Sequence, residues 1–136
     1  MPAVETIRLL LVDDQPAIRR GLRMWLALEP DLVVVGEAED GEQVCPLIGR
    51  LHPDVVLMDL AMPGLDGMGA TALVHLLEPD LPVVMLSLHD DREVRARALT
   101  AGVAAFVSKH EMEPALVEAI RGAARRRRGC RRPAQH

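Results

Sequence analysis

Asp13 and Asp14 directly follow one short apolar run (residues 9–12), Asp59 follows another (55–58), Ser87 a third (83–86), and Ser108 with Lys109 a fourth (104–107). Acids, a hydroxyl and an ammonium are the groups that phosphate chemistry at a metal uses. Carboxylates crowded together raise one another's pKa, and a bound cation or a nearby lysine relieves that cost. Hard oxygen ligands from few carboxylates suit Mg2+, which keeps several waters and accepts phosphate oxygens into its shell. A carboxylate can also be the nucleophile and become an aspartyl phosphate. Asp59 is the candidate for that role, being followed by Leu60-Ala61-Met62-Pro63-Gly64, a tight loop whose carbonyl at Ala61 can reach a metal. Asp13 and Asp14 would hold Mg2+, Lys109 would pair with the phosphoryl group, and Ser87 would donate a hydrogen bond to it. Catalysis would then be mostly positioning and charge neutralisation.

These groups meet only if the backbone brings them to one place. The apolar runs, including one at 32–35, are of strand length, often β-branched and not strictly alternating, which suits strands buried on both faces. Between them lie helically spaced apolar residues: Ile18, Leu22, Trp25 and Leu26, then Val94 and Ala98, then Met112, Leu116 and Ile120. Strand and helix alternate five times, which predicts a doubly wound α/β fold, a five-stranded parallel sheet with right-handed crossovers and helices on both faces. Ligands of such sheets bind beyond the carboxyl ends of the strands, where the strand order reverses. With the order 2-1-3-4-5, the first and third strands are neighbours and the three aspartates share one crevice. Pro16 marks the start of a helix, Asp90 or Asp91 caps the fourth helix, and Gly102 ends it. Pro46 and Gly49 in the second helix and Gly69 in the third predict short or irregular helices.

Length and charge bound the alternatives. The 136 residues, 49% hydrophobic and 26% charged, make one folded domain. The net charge of -4 is uneven: residues 1–120 hold 9 Lys/Arg against all 20 Asp/Glu, whereas residues 121–136 hold 7 Arg and no acid. Apolar periodicity fades in that last segment, which is expected to fray beyond about Arg126 as a solvated basic tail. It lacks interleaved aromatics and a reading helix, so sequence-specific DNA binding by this chain is not expected. No stretch free of charge is long enough for a membrane-spanning helix, and the N-terminus has no secretory pattern, so the expectation is a cytoplasmic protein. Cys45 and Cys130 form no framework and are expected to be free thiols. The histidines show no ligand spacing, and Trp25 and Phe106, the chain's only aromatics, suit core packing.

The run Leu11-Val12-Asp13-Asp14, the run Met58-Asp59-Leu60-Ala61-Met62-Pro63-Gly64-Leu65-Asp66-Gly67, Ser87 and Lys109 resemble a response-regulator receiver domain over roughly residues 7–124. Asp14-Gln15-Pro16 with Arg20-Gly21-Leu22, and the stretch from Ser87 to Asp91, resemble the NarL/FixJ-like branch, whose members usually add a helix-turn-helix output domain that these residues do not contain. The resemblance implies a flavodoxin-like three-layer fold, with residues 1–124 as the receiver and 125–136 as a flexible tail or truncated linker. It implies a sensor histidine kinase as phosphodonor, Asp59 as acceptor, Mg2+ as cofactor, and small donors such as acetyl phosphate as substitutes. Ser87 and Phe106 would be the switch residues, moving inward together and reshaping the surface of the fourth helix, fifth strand and fifth helix to bind a partner or a second copy. Transcriptional regulation would follow if a DNA-binding domain does. His110 stands where the family often has a cis proline, and because a cis non-proline bond costs about 3 kcal/mol a trans bond is expected. Leu88 is bulky where Ala is frequent, and Phe106 lacks the hydroxyl some members have.

Blander readings apply residue by residue. Asp14 alone could cap a helix, Lys109 alone would be a surface lysine, and Ser87 could simply bond backbone. Asp66-Gly67 and Asp40-Gly41 read as turns, and Glu37 and Asp90 as solvated rim or cap. Two other functions are open: a Mg2+-dependent phosphohydrolase that shares Asp59 as nucleophile and forms an aspartyl-phosphate intermediate, and a phosphorylation-independent interaction module using the same fold. The first would be expected to carry a second Asp where Ala61 stands, and the intact acids and Lys109 argue against the second. A phosphoacceptor signalling domain that catalyses only its own phosphoryl transfer, not an enzyme, is the reading these residues favour.

Overall fold

The computed structural model describes residues 5–89 and 91–131, the last two by backbone alone. The strands are β1 (Ile7–Val12), β2 (Leu32–Ala38), β3 (Val55–Asp59), β4 (Val83–Ser87) and β5 (Ala105–Ser108). The α-helices are α1 (Pro16–Leu26), α2 (Val44–Leu51), α3 (Gly67–Leu77), α4 (Arg92–Thr100) and α5 (Ala115–Arg131), with a 3-10 turn (Gly41–Gln43) before α2. All strand pairs are parallel and the order is β2-β1-β3-β4-β5. Both the predicted doubly wound arrangement and its order are therefore present.

The inner strands β3 and β4 are buried at every residue, and because successive side chains point to opposite sides, the sheet supplies a core to each face, while the edge strand β2 is only partly covered. Leu9, Leu11, Leu57, Val84 and Leu86 pack with Leu22 and Leu26 of α1 and Leu116 and Ile120 of α5. Leu10, Val12, Val56, Met58, Val83 and Met85 pack with Ile48 of α2, Ala70 and Val74 of α3, and Ala98 of α4. The two half-cores fix the sheet between helical layers, so the strand ends are held rigidly.

Local signals account for the helix ends. Pro16 opens α1, where its missing N–H is not needed. Asp91 Oδ1 accepts from Val94 N–H at the start of α4, and Gly102, at φ +101, lies just beyond its end. Asp90 lies outside the described residues. Asp66 and Asp40 are not plain turn residues: Asp66 caps α3 through Gly69 N–H, and Asp40 caps the 3-10 turn through Gln43 N–H. The second helix is short, as Pro46 predicted, since the proline is tolerated in its first turn after the 3-10 segment. The third is not irregular: it runs 11 residues, as long as α1, because Gly69 falls in its first turn, where Asp66 satisfies its N–H.

The expected fraying after Arg126 is overturned. Helix α5 continues to Arg131, and Arg127 is buried. Its guanidinium donates to the Pro53 carbonyl (2.8 Å) and Glu78 Oε2 (3.0 Å), with Asp54 and Asp80 within 4.0 Å. Arg121 pairs with Asp31 and Glu29, and Arg128 reaches the Thr6 carbonyl and Glu5. The arginines thus grip the edge from which the strands start, opposite the carboxylates, and residues 132–136 lie outside the described range. Cys45 is a free thiol; the Cys130 side chain is outside the described set. No helix among the described residues is long and apolar enough to cross a membrane.

Candidate functional site

The register sets the site. Val12 pairs with Met58 across β1 and β3, so Asp13 and Asp59, one residue further, emerge side by side at the carboxyl edge of the sheet. Asp59 is itself opposite Leu86, and Ser87 is opposite Ser108, which places Lys109 just beyond the same edge. The Lys109 N–H bonds the Ser87 carbonyl at 2.8 Å. Its peptide to His110 is trans, as expected; the one cis bond among the described residues is Glu113–Pro114.

From that anchor the Lys109 side chain, largely buried, reaches Asp13 Oδ2 at 3.1 Å and Asp59 Oδ1 at 3.0 Å. Asp13 and Asp59 are buried and Asp14 is half-buried, and one carboxylate oxygen of each lies within 4.8 Å of the others. Burial pushes the Asp59 carboxyl above the usual range and the Asp13 charge adds to this, against the hydrogen bonds from Lys109 and the Ala61 N–H. Burial works to lower the Lys109 pKa, but its hydrogen bonds to Asp59 and Asp13 and their charges prevail and hold it above the ordinary lysine value. Three clustered carboxylates against one ammonium leave an excess of negative charge on hard oxygen donors, which is the donor set a divalent cation such as Mg2+ takes.

The loop after Asp59 is shaped by two glycines. Gly64 has φ +72, a left-handed conformation that favours glycine. Gly67 folds back on the strand end: its N–H bonds the Leu60 carbonyl at 2.9 Å, and a Cβ there would sit 2.4 Å from the Asp59 carbonyl oxygen. This closure delivers the Ala61 N–H to the Asp59 carboxylate.

Asp13, Asp14, Asp59 and Lys109 are thus brought together as predicted. Ser87 is buried next to them, but its hydroxyl is engaged with His89, accepting from the N–H at 2.9 Å and lying 3.1 Å from the carbonyl. Phe106 is core, and its ring is covered by the Arg95 guanidinium, 5.0 Å from the ring centroid. Asp14 does not cap α1; the turn is closed by Asp13 Oδ1, which accepts from Gln15 N–H at 2.9 Å. Glu37 is not a solvated rim residue. It is half-buried within β2 and pairs with Arg19 (3.0 Å) and Arg23, while Arg19 also donates to the Asp13 carbonyl. No pattern in the sequence links this group; its only signal is an arginine one turn into the helix that follows the acid pair.

The family of response regulator receiver domains matches residues 9–121. The transcriptional regulatory protein LiaR of Bacillus subtilis is 39% identical over 121 residues, covering 88% of this chain and 56% of that protein. The probable transcriptional regulatory protein NarL of Mycobacterium tuberculosis is 37% identical over 119 residues, covering 88% and 55%. The chain spans about half the length of the curated relatives it matches. Among solved structures, the response regulator domain of Thermotoga maritima CheB superposes with a TM-score of 0.82 at 32% identity, covering 89% of this chain and 98% of that one. The receiver domain of the putative response regulator NarL from Mycobacterium tuberculosis gives 0.76 at 36% identity, covering 87% and 98%. Fold, strand-end acids and these similarities agree: the chain belongs to the response regulator receiver domains of two-component systems, with NarL-type regulators among its relatives.

Proposed function

We propose that this chain accepts a phosphoryl group on Asp59 from the phosphohistidine of a sensor kinase, in a reaction that depends on Mg2+. The observation that carries the reading is the Lys109 ammonium lying 3.0–3.1 Å from both Asp59 and Asp13 inside a cluster of three carboxylates. An Asp59 carboxylate oxygen attacks phosphorus, the bond from phosphorus to the imidazole nitrogen of the donor breaks, and an acyl phosphate forms. Lys109, already paired with Asp59, orients that carboxylate and then neutralises charge on the phosphoryl oxygens. Asp13, Asp14, Asp59 and the Ala61 carbonyl would hold Mg2+. Bound there, the ion supplies charge neutralisation of the phosphoryl oxygens and a fixed point for their orientation.

The new acceptor oxygens give Ser87 a partner to exchange for His89, and Phe106 moves with it, shifting the population of the α4, β5 and α5 surface. That surface would bind a downstream partner or a second copy. Regulation of transcription, by way of a DNA-binding domain outside these residues, fits relatives named as transcriptional regulators. A cytoplasmic setting and the absence of an independent enzymatic substrate belong to the same reading. Ala61, where a phosphohydrolase of this chemistry would be expected to place a second acid, weighs against turnover on free phosphate esters.

The test is incubation with acetyl phosphate and Mg2+ followed by peptide mass mapping. One phosphoryl group on the Asp59 peptide is expected, lost with a chelator and in Asp59→Asn. Turnover of a small phosphate ester without any acyl-phosphate donor would favour the hydrolase instead. Unchanged partner binding or dimerisation on addition of beryllofluoride would favour the phosphorylation-independent module.

A further inference from the structure

Asp13 is fixed at every polar atom. Its N–H donates to the Ala38 carbonyl (3.1 Å), Oδ1 accepts from Gln15 N–H (2.9 Å), and Oδ2 accepts from Lys109 (3.1 Å). Its carbonyl, the remaining atom, accepts from Arg19 Nη1. Arg19 comes from the first turns of α1, its side chain is only 14% exposed, and its Nε is held by Glu37 at 3.0 Å. Glu37 lies in β2 directly opposite Leu11 of β1. The guanidinium therefore spans from β2 to the carbonyl of the turn that carries both Asp13 and Asp14.

We propose that Arg19, oriented by Glu37, is a positioning residue for the divalent-cation site: it fixes the turn bearing Asp13 and Asp14 so that their carboxylates face Asp59. This rests on the Mg2+ reading above. Two effects of Arg19 on a bound cation have opposite signs. As a nearby positive charge it repels the ion, and on that ground alone its removal would tighten Mg2+ binding. As a clamp on the ligand-bearing turn it pre-organises the acids, and its removal weakens binding. The Glu37 carboxylate, shared with the more exposed and solvent-screened Arg23, offsets much of the Arg19 charge, so the clamp prevails. Partners that orient metal ligands in this way are typically worth about 10- to 100-fold in affinity.

The experiment is Mg2+ titration of the full chain without phosphodonor, followed by backbone amide shifts of residues 13–15 and by calorimetry, with Mg2+-free thermal unfolding alongside. Arg19→Met is expected to weaken Mg2+ binding about tenfold, and Arg19→Lys to recover part of it, since a lysine can reach the Asp13 carbonyl or Glu37 but not both in the same geometry. Glu37→Gln, which leaves Arg19 in place, serves if Arg19→Met does not fold and is expected to weaken binding less. Wild-type binding with an unchanged or tightened Arg19→Met, or with an unchanged Glu37→Gln where Arg19→Met does not fold, overturns this inference alone. No Mg2+ binding by the wild type overturns the metal reading and this inference with it.

Discussion

Replacing Asp59 by Asn should make the protein more stable at neutral pH in Mg2+-free buffer, even though it removes the nucleophile. The charge of Asp59 is attracted to Lys109 across 3.0 Å, worth about 5.5 kcal/mol at an effective dielectric of about 20. It is repelled by Asp13 across at most 4.8 Å, about 3.5 kcal/mol on the same footing. Half-buried Asp14 adds a smaller, more screened repulsion, and burying the carboxylate costs several kcal/mol more. An Asn side chain removes the repulsions and the burial cost, and still accepts a hydrogen bond from Lys109. The balance favours the variant by about 2 kcal/mol, a rise in Tm of roughly 5–10 °C. The pH dependence has a definite sign. Because burial raises the Asp59 pKa in the fold, the stability of its protonated form is fully present below the unfolded value of 3.8 and is lost as pH rises through the folded value. The gap between variant and wild type should therefore be full at pH 7, narrow as pH falls through the raised value, and close below 3.8. Thermal and urea unfolding across that range, with chelator present, measure it. An Asp59→Asn protein less stable than wild type at pH 7 would refute the reasoning and show that the Lys109 pair dominates the cluster.

Two further outcomes follow from packing. Arg127→Met strands Glu78, Asp54 and Asp80 around a lost cation, and because those acids are partly solvated the expected destabilisation is about 2–3 kcal/mol in urea unfolding; a change under about 0.5 kcal/mol would make the basic segment a surface feature after all. Gly67→Ala forces a methyl to 2.4 Å from the Asp59 carbonyl oxygen, so the loop must move, with a loss of about 1–3 kcal/mol and slower phosphorylation at Asp59; wild-type rates from acetyl phosphate would show that the loop is not held by this contact.

Most of the fold was legible because its strands are continuous apolar runs that only a twice-covered parallel sheet buries. The site was legible for the same reason: once Val12 and Met58 are paired in neighbouring strands, Asp13 and Asp59 must converge, and Lys109 as the sole lysine leaves one source for the ammonium. What escaped depends on contacts between residues far apart in the chain. The arginines of α5 read as a solvated run because their acidic partners, Asp54, Glu78 and Asp31, lie 49 to 90 positions away on loops scattered through the sequence. Arg19 and Glu37 are 18 positions apart on different elements, with no periodicity to link them. Ser87 was placed correctly at its strand end, but no pattern indicates which way a hydroxyl turns, and here it bonds His89.

The measurement closest to the central claim is chemical trapping of the modified residue. After incubation with Mg2+ and acetyl phosphate, borohydride reduces an aspartyl phosphate to homoserine, and tandem mass spectrometry locates it. The account predicts homoserine at position 59 alone, dependent on Mg2+ and lost in Lys109→Met. Phosphoryl retained on Ser87 or a histidine, or an unmodified position 59 in a protein that binds Mg2+, would contradict it.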